Sequence, residues 1–138
     1  MSSKSAVLDT SAYSHIERGN SELLRLLKSY DRLLMPLNTL AELKSGFRLG
    51  TKEGKNLSTL KQFLDRPEVG IVQADERTLG HYVILDVIAR QKHRILSHND
   101  LWIAACAEQS SYDLVTFDKD FIVFSAIFGR RLAILDTR

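Results

Sequence analysis

Four acidic residues stand where short apolar runs give way to helical patterns, and their types suit the handling of a hard cation and a phosphodiester. Asp9 ends the run Ala6-Val7-Leu8 and is followed by Thr10 and Ser11. Asp118 leaves another apolar run through Thr116-Phe117-Asp118-Lys119-Asp120, so a hydroxyl and two carboxylates follow one strand-like segment. Glu42 comes after the run Leu33–Met35, and Asp100 opens the helical pattern Leu101–Ala107. Brought together, such carboxylates repel one another unless protons or cations neutralise them. An oxygen-rich, sulfur-free donor set suits Mg²⁺ or Mn²⁺. An ion of that kind can hold a phosphodiester, acidify an attacking water and stabilise the departing oxygen, which makes phosphodiester hydrolysis the reaction class these residues indicate.

Each acid also has a structural reading. Asp9, with Thr10 and Ser11, can cap a helix. Asp120 can cap a helix beginning near Phe121, which leaves Asp118 as the preferred ligand because it shares the side-chain direction of Thr116 in an extended strand. Asp100 complements a helix dipole. Thr39 and Glu42 match the S/T-x-x-E capping box, so Glu42 either folds back onto the Thr39 amide or points toward Asp9. The expectation is that all four acids converge at one sheet edge, with Glu42 turned toward Asp9.

The elements that must position them read as an α/β fold. Ala6–Leu8, Leu33–Met35, Val69–Val72, Leu114–Phe117 and Leu132–Leu135 are short and apolar, as buried parallel strands are, and helical patterns separate them. Open parallel sheets bind ligands beyond the carboxyl ends of their strands, especially where strand order reverses. Helix starts are expected at Asn20 or Ser21 before Glu22–Leu27, at Asp75 before Arg77–Arg90, and at Asn99 or Asp100 before Leu101–Glu108. Gly19-Asn20 and Arg66-Pro67 mark turns. Leu57, Leu60 and Leu64 recur at helical spacing, with Lys55, Ser58, Lys61 and Gln62 facing solvent. Lys44, Arg48 and Lys52 recur at i, i+4 and i+8 and form a basic stripe for RNA phosphates if their helix continues past Gly50. Tyr30, Phe47, Phe63 and Phe128 read as core, with a homodimer or partner-protein groove as the alternative; His15, His81 and His98 read as solvent-facing or capping residues, although His98, two positions before Asp100, also invites a metal.

The 138 residues and 44% hydrophobic content fit a single domain over 1–138. No run approaches the roughly 20 apolar residues that span a bilayer, and Asp9 interrupts the N-terminal apolar run, so neither an anchor nor a signal peptide is expected. The lone Cys106 lies in an apolar run and reads as a small buried residue suited to a reducing cytoplasm. A formal charge of +2 leaves room for one local basic surface without demanding a polyanionic partner.

In order along almost the whole chain, Val7-Leu8-Asp9-Thr10-Ser11, Leu40-Ala41-Glu42-Leu43, His98-Asn99-Asp100-Leu101-Trp102-Ile103-Ala104-Ala105 and Thr116-Phe117-Asp118-Lys119-Asp120-Phe121 resemble the PIN-domain family, and within it the VapC group of toxins. The Asn99–Ala105 segment is the most specific part. The resemblance implies a three-layer α/β/α sandwich on a mostly parallel, about five-stranded sheet, and metal-dependent endoribonuclease activity on RNA. It implies Asp9, Glu42, Asp100 and Asp118 as catalytic ligands of Mg²⁺ (or Mn²⁺), Ser11, Thr116 and Asp120 as supporting residues, a cognate antitoxin and a homodimer. Two alternatives stay open: an RNA-processing PIN nuclease without a toxin role, and an inactive PIN-like module whose partner complex regulates DNA. The complete acidic set favours catalysis. A phosphatase of the HAD type would want a second aspartate where Ser11 stands, and a receiver domain would need a phosphoacceptor and a lysine at strand ends that are not so filled.

Overall fold

A computed structural model of the protein describes residues 4–136. Five strands, β1 (Ser5–Leu8), β2 (Arg32–Pro36), β3 (Val69–Val72), β4 (Asp113–Thr116) and β5 (Leu132–Ile134), form one sheet in the order β3-β2-β1-β4-β5. Every pairing is parallel. The five apolar runs are the five strands, although Phe117 and Leu135 fall just beyond β4 and β5. The connections carry α1 (Thr10–Glu17), α2 (Ser21–Leu27), α3 (Leu37–Leu49), α4 (Glu53–Leu64), α5 (Glu76–Gln91) and α6 (His98–Gln109), and a 3₁₀ segment (Lys119–Phe124) runs into the short α7 (Ser125–Phe128).

Side-chain parity along the central strand separates two cores. Ala6 and Leu8 pack with Ala12, Tyr13, Leu23, Leu40 and Phe63 from α1–α4, whereas Val7 packs with Leu85, Leu101, Ala104 and Phe121 from α5, α6 and the 3₁₀ segment. Tyr30, Phe63 and Phe128 are buried and Phe47 packs against the first core, as their apolar character requires. Because both faces of the central strands are covered, their middles read as apolar runs rather than alternating, whereas Ile71 on the edge strand β3 stays exposed. A side chain such as Leu8, wholly removed from water, contributes roughly 1.5–3 kcal/mol. The sheet with helices on each side is the three-layer α/β/α arrangement.

Local chemistry sets most helix starts. Asn20 caps α2, accepting from the Leu23 amide at 2.9 Å, and Asp75 forms a reciprocal capping box with Thr78 on α5. Two starts differ from the sequence reading. α6 begins at His98 and is capped by Ser97, which accepts from the Asp100 amide at 3.1 Å, so neither Asn99 nor Asp100 is the cap. α3 begins at Leu37 straight out of β2, with Pro36 at the cap position and no side-chain cap. Thr39 therefore lies inside the helix, buried, and donates its hydroxyl to the Leu8 carbonyl at 3.1 Å. The capping-box reading of Thr39 and Glu42 fails because this long-range bond claims the threonine.

α3 stops at Leu49, with Gly50 as its C-cap, so Lys52 lies in the turn before α4 and the basic stripe on the helix shortens to Lys44 and Arg48. On α4 Leu60 and Phe63 are buried and Lys55, Ser58, Lys61 and Gln62 are exposed, but Leu57 sits at the margin with 36% exposure.

Candidate active site

The chain extends the sheet from β1 through β2 to β3, then returns to add β4 and β5 on the other side, so strand order reverses between β1 and β4. Leu8 is in register with Val115 across that boundary, which makes Asp9 and Thr116 neighbours at the carboxyl edge. The fully buried Thr116 donates its hydroxyl to Asp9 Oδ2 at 2.5 Å. Asp9 Oδ1 accepts from the Ala12 amide at 2.9 Å and from the Ser11 hydroxyl at 2.8 Å. Ser11 Oγ accepts in turn from the Phe117 amide, and Thr116 Oγ1 from the Asp118 amide, both at 2.9 Å. Each hydroxyl has one proton, and both protons are directed at Asp9.

Asp9 thus caps α1, as the structural reading held, while two hydroxyls fix its carboxylate from outside the helix backbone. It is only 4% exposed, and burial raises its pKa. Hydrogen bonds from Thr116, Ala12 and Ser11 oppose that rise, and the charge of Asp118 adds to it.

Asp100 stands in the first turn of α6, half-buried. Burial pushes its carboxyl up to about 6, hydrogen bonding by Ser97 holds it back, and the charges of Asp118, Glu42 and Asp9 push it further. One carboxylate therefore senses the other three. Glu42, exposed on α3, accepts from the Thr10 hydroxyl at 3.2 Å, so its side chain reaches toward the end of β1 rather than toward Thr39.

Asp118 is half-buried and is itself the cap of the 3₁₀ segment, accepting from the Asp120 amide at 2.9 Å. The capping role expected of Asp120 belongs to Asp118, and Asp120 is exposed in the first turn. Among the described residues, no three His, Cys, Asp or Glu side chains stand close enough to close around one ion. Mg²⁺ keeps several waters and is commonly held through one or two carboxylates together with substrate phosphates, so the all-oxygen chemistry of this set fits a hydrated hard ion.

Three contributors were not legible as such. Thr10 orients Glu42, Ser97 orients the first turn under Asp100, and His15 stacks on Phe117 with ring centroids 3.8 Å apart while its Nδ1 lies 2.9 Å from the Ser11 carbonyl. The stack braces α1 against the chain just after β4. His15 stands four residues after Ser11, a helical spacing that signals the local bond but not the stack on Phe117. The basic residues are less concentrated than expected. Lys44 leaves α3 about half a turn around from Glu42, and Arg48 is ion-paired with Glu53 at 2.6 Å in a groove that Lys44, Ser45 and Leu57 also line.

Comparison with known proteins places this geometry. The PIN domain family model matches residues 6–126. Ribonuclease VapC5 from Mycobacterium tuberculosis is 30% identical over 118 residues, covering 83% of this chain and 84% of that protein. The structure of VapBC2 from Rickettsia felis, bound to a DNA fragment from their promoter, superposes with a TM-score of 0.77 at 25% identity, covering 97% of this chain and 99% of that one. VapBC-5 from Mycobacterium tuberculosis, a member of the VapBC family of toxin-antitoxin systems, gives a TM-score of 0.74 at 26% identity over 96% of this chain and 98% of that one. With the family match running from β1 into α7 over the same sheet edge that gathers the acids, the chain belongs to the PIN-domain family.

Proposed function

We propose that this protein is a metal-dependent endoribonuclease that hydrolyses RNA phosphodiester bonds as the toxin of a type II toxin–antitoxin pair. The observation that carries the reading is the placement of Asp9, held by Ser11, Ala12 and Thr116, at the carboxyl edge where strand order reverses, with Glu42 reaching the adjacent Thr10 hydroxyl. The likeness to a VapC ribonuclease and to VapBC toxin-antitoxin structures supports the substrate, a cognate antitoxin as partner, and the cytoplasm as compartment. Among the described residues no helix is long and apolar enough to cross a membrane. We further propose that residues 1–138 act as one domain and pair as a homodimer.

Asp9, Glu42, Asp100 and Asp118 would hold Mg²⁺ (or Mn²⁺). When bound, the ion supplies positive charge for the phosphodiester and an acidified water for in-line attack. The rest falls to the chain. Ser11 and Thr116 direct their protons at Asp9 and so fix the plane of its carboxylate, leaving acceptor capacity on Oδ2. Both hydroxyls also accept a backbone amide, so each is engaged by Asp9 and the backbone, and the reading is hydrolysis by water without a covalent enzyme intermediate. Asp120 stands at the rim as a supporting residue, and Lys44, Arg48 and Lys52 would meet flanking phosphates, Arg48 by exchanging Glu53 for the polymer.

The test is direct. The purified chain is incubated with a mixed cellular RNA pool in Mg²⁺, in Mn²⁺ and in chelator. Cleavage confined to the metal-containing samples is expected, and a folded protein that cuts nothing with either ion would reject the reading.

A further inference from the structure

We infer that Tyr82, His98 and Trp102 form a platform on which a base of single-stranded RNA stacks, beside the acidic site on the same helix; the inference rests on the ribonuclease reading. α6 turns about 100° per residue, so His98 and Trp102 lie one turn apart on one face, roughly opposite Asp100, with Asn99 between the two sides. Tyr82 of α5 stands against both. Its hydroxyl is hydrogen-bonded to His98 Nδ1, and its ring lies 4.4 Å and 36° from the indole and 6.1 Å and 14° from the imidazole.

This cluster sits at the margin of the second core, which Tyr82 packs against. His98 is exposed and Tyr82 and Trp102 are half-buried. Trp102, the only tryptophan in the chain, belongs to neither hydrophobic core, although its neighbours Leu101 and Ile103 are wholly buried. Aromatic rings already held by one another present an apolar face at little further entropic cost, and the 36° tilt between Tyr82 and Trp102 leaves a base to stack on one ring rather than across both. Any base can stack on such a face, and the stack needs no particular sequence. Between platform and carboxylates lies an amide pair, Asn38 Nδ2 donating to Asn99 Oδ1 at 3.3 Å, whose remaining donors and acceptors suit base edges. A strand whose phosphate sits at the acids thus reaches the platform around the first turn of α6, a span of a few nucleotides.

The chain's single tryptophan reports the contact. Titrating the full-length protein with a short single-stranded RNA of mixed sequence is expected to quench Trp102 fluorescence with the same midpoint that anisotropy of labelled RNA gives. His98→Ala and Trp102→Leu are expected to raise the KM for cleavage about tenfold with kcat nearly unchanged. They should leave the slope of affinity against salt as it is, because no phosphate contact is lost. The exposed His98→Ala keeps the test usable if Trp102→Leu fails to fold. Cleavage with unchanged KM in the folded variants, or RNA binding that leaves Trp102 fluorescence unmoved, would overturn the platform while the nuclease reading stands. Absence of both cleavage and quenching would overturn the two together. A Trp102 signal that follows protein concentration without RNA would overturn the platform in favour of a surface between two copies of the chain.

Discussion

Asp9 is held by one amide and two hydroxyls, and the balance between those bonds and its burial decides how readily it carries charge. Thr116→Val removes the shortest of the bonds and also strips the Asp118 amide of its acceptor. We expect a loss of about 1–3 kcal/mol in thermal or denaturant unfolding, the cost of leaving buried polar groups unpaired. Because the Thr116 bond lowers the Asp9 pKa, its loss should move the acid limb of the cleavage profile to higher pH, and Thr116→Ser should restore it. Asp100 makes a second prediction. Its carboxyl rises from the ordinary 3.8 to about 6 in the fold, so the fold favours the protonated form. That contribution to stability is fully present below the ordinary value and is lost as pH rises through about 6. The metal-free protein should therefore gain less stability between pH 7 and pH 5 once Asp100→Asn is introduced, as a series of Tm values would show. An unchanged pH slope in that variant would remove Asp100 from the coupled set.

The strands were legible because burial of the central strands selects short runs dominated by Val, Leu, Ile and Ala, and Asp9 and Asp118 were legible because they directly follow such runs. Helix starts were harder to read. Ser97, Asn99 and Asp100 are all good caps, and only the path of the preceding turn, where His93 takes a positive φ of 60°, brings Ser97 to the helix end. The Thr39 and Glu42 spacing was a true local signal overridden by a partner on another strand, the Leu8 carbonyl. No pattern within α3 could announce that bond. The same physics sets the outcome of two substitutions. Ser97→Ala should cost about 1 kcal/mol as a lost cap, and should raise the Asp100 pKa further, since Ser97 is what holds it down. Thr39→Val should destabilise the protein by about 1–3 kcal/mol through the unpaired Leu8 carbonyl. Replacing Glu42 by Gln should leave helix stability unchanged, because Glu42 caps nothing; a drop in Tm comparable to that of Ser97→Ala would restore the capping reading.

At the scale of the whole molecule, the reversal of strand order places four carboxylates from four different connections at one edge, and their repulsion opposes folding until a cation or protons relieve it. That link between folding, charge and chemistry is tested most directly with Asp9→Asn. The amide can still accept from the Ala12 amide and Ser11, and it removes a buried charge that the fold disfavours. It loses the bond from Thr116 in exchange, so in chelator the two effects oppose each other and the variant should still unfold cooperatively, near the wild-type temperature. Mg²⁺ is expected to raise the wild-type Tm; that rise should be missing in the variant, and cleavage of a mixed RNA pool should be abolished at matched protein concentration. Equal cleavage by the folded Asp9→Asn protein would contradict the metal site, and unfolding of the variant in chelator would show that Asp9 serves the fold instead.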